Sequence, residues 1–113
     1  MPRLFSYGTL QQDNVQLSTF GRLVSGVPDE LLGVEEFVID IDDPEIVAVS
    51  GKRQHSVVRL NRHAPGRVRG TVFEITDAEL ASADTYEVAV CIRVAVTLAS
   101  GTRAWVYIDA RAA

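Results

Sequence analysis

Residues 90–109, VCIRVAVTLASGTRAWVYID, decide the fold class. Val90, Ile92, Val94, Val96 and Leu98 take alternate positions, with Cys91, Arg93, Ala95 and Thr97 between them. Apolar residues at period two mark a strand with one face toward a core. Ser100-Gly101 is a turn signal. Thr102–Asp109 resumes the alternation, with Ala104, Val106 and Ile108 on one face and Arg103, Trp105, Tyr107 and Asp109 on a more polar one. The stretch predicts an antiparallel hairpin closing the fold.

Working outward, Thr76-Asp77-Ala78-Glu79 fits a capping box, with Thr76 as N-cap and Glu79 reaching back to it. The helix it opens ends near Tyr86-Glu87. Before it, Val68–Ile75 is a strand interrupted by Gly70, with Val68, Val72 and Phe73 as core candidates; glycine there suggests a bulge or a close backbone approach. Ser56–Leu60 is another short strand, and Pro65-Gly66 the turn of the loop between them. Leu31–Ile41 shows strand period, with Phe37, Ile39 and Ile41 on one face, and Glu45–Val49 is a helical turn or an edge segment. Arg22–Val24 starts a further strand broken by Gly26 and Pro28. At the front, residues 3–10 form a buried strand. Asp13 then caps a helix over about 13–20, with Val15, Leu17 and Phe20 on its apolar side and Gly21 as its stop. Five or six short strands with two clear helices give a mostly antiparallel α+β domain over residues 1–113. Glycine-interrupted strands of this size suit a curved sheet or small barrel. The tail 110–113 is expected to be loose.

The chain has 113 residues, which fits one domain, and 47% of them are hydrophobic against 23% charged. Its net charge is −4, where nucleic acid or an anionic membrane would need a basic face. No apolar run approaches a membrane span and the N-terminus lacks signal-peptide character, so a cytoplasmic protein is expected. One cysteine excludes an internal disulfide, and no Cys/His cluster supports zinc.

The stretch Tyr7-Gly8-Thr9-Leu10 is the first candidate for chemistry. Glycine lets the backbone approach a ligand or take positive φ, and consecutive turn amides can cradle a carboxylate or oxyanion. Glu87 is the second. It ends a helix, where a carboxylate opposes the helix dipole, and its neighbours are apolar. Burial without a cation would raise its pKa toward that of a neutral-pH general base. Arg93 is expected on the surface or paired with Glu87, Asp84 or a ligand. Cys91 has no base placed beside it, so a plain strand residue is expected there. The acidic run Asp40, Asp42, Asp43 and Glu45 lacks calcium-loop spacing and is expected to be a solvated turn.

Taken together, LFSYGTL at 4–10, GTVFEIT at 70–76, the segment Leu80–Asp84–Tyr86–Glu87–Arg93 and SGTRAWVYI at 100–108 resemble the γ-glutamylcyclotransferase-like (AIG2-like) family. The resemblance implies a β-barrel-like core with flanking helices and a pocket beside the YGTL loop. It implies an enzyme whose glutamate, here Glu87, moves protons while a γ-glutamyl group cyclises to 5-oxoproline and releases an amine. On this reading Tyr7, Gly8, Thr9 and Leu10 bind substrate oxygens and Tyr107 walls the pocket. No cofactor or metal is implied. The partner is a small γ-glutamyl molecule, and the chain is a monomer or homodimer. The sequence departs from the family at Val88, where a glycine is frequent, and at Cys91, where a tyrosine is frequent. These departures suggest an alternative, a non-catalytic module binding a small carboxylate.

Overall fold

The computed structural model describes residues 1–40, 42–87 and 91–109. Strand β1 is Arg3–Ser6, followed by a single 3₁₀ turn, Thr9–Gln11, and helix α1, Asp13–Phe20. Then come β2 (Gly26–Leu32), β3 (Val34–Asp40), α2 (Pro44–Ser50), β4 (Gln54–Leu60), β5 (Arg67–Glu74), α3 (Asp77–Tyr86), β6 (Cys91–Thr97) and β7 (Arg103–Asp109). One sheet has the order β2-β5-β1-β7-β6, and β3 and β4 pair separately. The fold is α+β and mostly antiparallel. β1 runs antiparallel to β5, with Ser6 opposite Thr71, and parallel to β7, with Leu4 opposite Trp105.

The barrel does not form. Gly33 takes φ +69 and ends β2 before β3 begins, so the expected strand 31–41 becomes two elements in two sheets. The five-stranded sheet stays open, with β2 and β6 at its edges. Arg22–Val24 is not strand; β2 begins at Gly26, where a break was expected. Residues 45–49 fall within α2, capped by Asp43, whose carboxylate accepts from Glu45 N at 2.9 Å. The capping box of α3 is present, with Glu79 N donating to Thr76 Oγ1 at 3.0 Å and Thr76 N to Glu79 Oε1 at 2.9 Å. Helix α1 spans the expected residues, but its cap is Gln12 rather than Asp13. Its buried face is Val15 and Gln16, and Leu17 is exposed. Gln16 is buried because its amide satisfies two loops, donating to Leu10 O at 3.0 Å and accepting from Val24 N at 3.1 Å. Ile41, Val88, Val90 and the tail 110–113 lie outside the described residues.

Both faces of the large sheet are buried. Leu4, Phe73 and Tyr107 join Val15, Leu80 and Ala83 beneath α1 and α3. Phe5, Val106 and Ile108 join Val34 and Val58 beneath the β3–β4 pair. The face of β7 expected to be polar therefore carries Tyr107 into a core, because α3 covers it. Gly70 serves a close approach, since a Cβ there would collide with the Ser6 carbonyl oxygen across β5 and β1.

Candidate functional site

Where β1 ends, the chain leaves the sheet at Tyr7-Gly8 and enters the 3₁₀ turn. This departure opens a cleft of about 380 Å³ between the end of the large sheet, α3 and the β3–β4 pair. Of the residues expected at a site, Tyr7, Gly8, Thr9, Glu87 and Tyr107 line it, and so does Cys91. Leu10 does not; its side chain is buried in the core beneath the helices.

Glu87 is the C-cap of α3, its N–H donating to Ala83 O at 3.0 Å. Burial pushes its carboxyl up to about 7. Among the described residues no cation or hydrogen-bond donor opposes that rise. A carboxyl divided between its two protonation states near neutrality can both take and return a proton.

Gly8 is the N-cap of the 3₁₀ turn, with φ −124 and ψ −143, so its role is not positive φ. Among the described residues beyond its chain neighbours no atom stands within 4 Å of the place a Cβ would occupy, leaving open space beside the backbone, while its N–H donates to Ser6 Oγ at 3.4 Å. The first amides of such a turn have no intrahelical acceptor and suit an anionic or carbonyl oxygen. Gln11 and Gln12 close the turn, donating to Gly8 O at 3.2 Å and Thr9 O at 2.9 Å.

The hydroxyls here are committed to the protein. Tyr7 OH donates to Tyr107 O at 2.7 Å and accepts from Val58 N at 3.2 Å, bridging β7 and β4. Burial pushes its pKa up. The Thr9 hydroxyl lies 2.6 Å from Tyr86 OH. Tyr107 OH donates to Asp84 Oδ1 at 2.7 Å. Tyr7 and Tyr107 thus present rings rather than free hydroxyls. Asp84 also accepts from Arg93 Nε at 2.8 Å and from its terminal amino group at 3.2 Å. Arg93 stacks over Trp105 at 4.3 Å, and so is paired inside the fold rather than free on the surface. Burial pushes the Cys91 thiol up to about 12, with the Glu87 charge adding to the rise, so the thiol stays protonated and is no nucleophile.

The opposite wall was not anticipated. Ile39, Lys52, Gln54, His55, Ser56 and Val57 supply it from β3, β4 and the loop before β4. The His55 Nε2 lies 3.2 Å from both Ser50 Oγ and Lys52 O, and burial lowers its pKa. No local pattern marks these residues, because only the separate pairing of β3 with β4 brings them over the turn. Among the described residues no cluster of three or more His, Cys, Asp or Glu side chains could hold a metal, and no helix is long and apolar enough to cross a membrane.

A family model described as gamma-glutamyl cyclotransferase, AIG2-like, matches residues 4–112. The chain belongs to that family. The match includes both the cleft-forming turn and Glu87. Two Arabidopsis thaliana proteins solved in solution share the AIG2-like chain's fold, each at 21% identity, with TM-scores of 0.75 and 0.74. The alignments cover 97% and 99% of this chain and 62% and 70% of theirs. A structure named gamma-glutamyl cyclotransferase superposes with a TM-score of 0.66 at 16% identity, covering 96% of this chain and 66% of its own. The chain therefore spans about two thirds of the length of the solved proteins it resembles. No curated protein matches it.

Proposed function

We propose that the cleft cyclises a γ-glutamyl amine or peptide, releasing 5-oxoproline and the amine. The observation that carries this reading is one carboxyl, Glu87, with its pKa raised to about 7 by burial in a cleft bordered by the open backbone of Gly8. Glu87 is the catalytic residue. As carboxylate it takes a proton from the substrate's α-ammonium. The freed amine attacks the γ-carbonyl carbon, forming the ring C–N bond. The carbonyl oxygen becomes an oxyanion, held by amides of the Tyr7–Leu10 turn. Glu87 returns the proton to the leaving nitrogen as the original amide C–N bond breaks and the carbonyl re-forms, and it then carries the ring nitrogen's second proton to the departing amine, which leaves as the ammonium. Atoms and charge balance with no added reagent. Nucleophile and electrophile belong to one molecule, so holding it bent supplies much of the acceleration. The Tyr7 and Tyr107 rings wall the bent substrate.

The test is incubation with a panel of γ-glutamyl amines and dipeptides, followed by quantifying 5-oxoproline. Release that disappears in Glu87→Gln supports the reading. No product from any compound, or undiminished product from Glu87→Gln, overturns it. Saturable binding of a small carboxylate without turnover would point instead to a binding module.

A further inference from the structure

We propose that Lys52 is a specificity-determining residue of this cleft, binding a carboxylate carried by the amine half of the substrate; the inference rests on the γ-glutamyl reading above. Among the described residues that line the cleft, Lys52 is the only Lys or Arg and Glu87 the only carboxylate. Its backbone is fixed. Helix α2 stops at Gly51, φ +71, whose N–H donates to Val47 O at 2.8 Å. Lys52 N then donates to Ser50 Oγ at 3.2 Å. With the Gln12 amide oriented to face complementary partners, its oxygen accepts from Lys52 Nζ at 3.2 Å. Gln12 is neutral, so it orients the ammonium without cancelling its charge. Among the described residues no carboxylate stands within 4.0 Å of that ammonium. Asp40 and Asp42 share a shallower adjoining depression with it, without an ion pair.

The ordinary reason for a lysine here is the C-terminal end of α2, whose carbonyls favour a cation. That end is already served. Asn14 Nδ2 donates to Val49 O at 2.6 Å, and the Gln12 amide nitrogen reaches Ser50 O at 3.1 Å. The ammonium is thus left at a cleft whose other described polar residues, Glu87 apart, are uncharged, Gln54 and Ser56 among them.

The substrate chemistry supplies the missing partner. A γ-glutamyl amino acid carries a second carboxylate on the leaving amine. Glu87 in its basic form repels that group, whereas an opposite charge at the rim holds it. Lys52 is exposed, so it meets what projects from the cleft rather than what is buried beside Glu87. A γ-glutamyl alkylamine offers it nothing.

γ-Glutamyl-alanine and γ-glutamyl-ethylamide differ only by that carboxylate. In the full chain, Lys52→Met should lower the ratio of their kcat/KM values about tenfold, the low end for a hydrogen bond to a charged group. The change should fall mainly in KM for the alanine compound, and Lys52→Arg should restore most of the ratio. A ratio unchanged within twofold in Lys52→Met overturns the assignment. Calorimetric titration with both compounds separates this inference from the catalytic one. Lys52-dependent preference for the carboxylate compound without turnover rejects the reaction and retains Lys52. Equal affinity for the two compounds, or binding of neither, rejects Lys52.

Discussion

Asp84 and Glu87 lie three residues apart at the end of α3 and have opposite characters. Both are acidic, and burial raises the pKa of each. At Asp84 that effect is outweighed by hydrogen bonds from Arg93 and Tyr107 and by the Arg93 charge, so its carboxyl sits below the usual range. At Glu87 no described residue opposes it, and the carboxyl rises to about 7. Asp84 is held ionised as a structural clamp on β6 and β7. Glu87 is left chemically undecided, which is what a proton carrier needs. Counter-charge, not residue type, separates the two carboxyls.

The largest expected effect is on turnover: Glu87→Gln should lower kcat by about 10²–10⁴-fold, the usual worth of a positioned acid–base group. The comparison breaks if the variant turns over γ-glutamyl compounds at the wild-type rate. Stability should move the other way. Between pH 4.5 and about 7 folded Glu87 keeps a proton that the unfolded chain has released, so stability declines as pH rises through that window and is flat above it. Urea denaturation should therefore find Glu87→Gln more stable than wild type by up to about 3 kcal/mol at pH 8, with the gain gone below pH 4.5.

Asp84 carries the opposite sign. Its contribution is complete above its ordinary value of 3.8 and is lost on acidification through its lowered pKa. At pH 7, Asp84→Ala should cost about 2 kcal/mol, because it strands the Arg93 guanidinium and the Tyr107 hydroxyl. Its pH–rate midpoint should stay near 7, since the Glu87 shift comes from burial. A moved midpoint would show that the two carboxyls are electrically coupled.

Tyr7→Phe should cost about 1 kcal/mol by leaving Val58 N and Tyr107 O without the bridging hydroxyl. Smallest is the stability change in Gly8→Ala, within about 0.5 kcal/mol, since its φ suits any residue and no atom would meet the methyl group. Turnover should nonetheless fall, because the methyl enters the space beside the turn amides. Unchanged turnover in that variant would remove the turn from the site.

The legible parts of the molecule were those written in short-range code. The alternation of 91–97 and 103–109, the Thr76–Glu79 capping box and the Gly21 stop each follow from neighbours a few residues apart. Glu87 was legible because its apolar neighbours and its place at a helix end are local facts. Gly33 was the local signal whose consequence was missed: its left-handed backbone divides one apparent strand between two sheets and prevents a barrel.

What the sequence by itself determined is therefore the set of elements, the α+β class and one half of the cleft, the turn and the glutamate. Tertiary structure alone decided the rest. It brought Lys52, Gln54 and His55 into one cleft with Glu87, turned the outer face of β7 into a core, and gave Arg93 to Asp84. The physical reason is range. Periodicity, caps and turns are fixed by contacts between near neighbours. The charge state of a carboxyl depends on which distant groups the sheets bring within a few ångströms of it, and no local pattern encodes that.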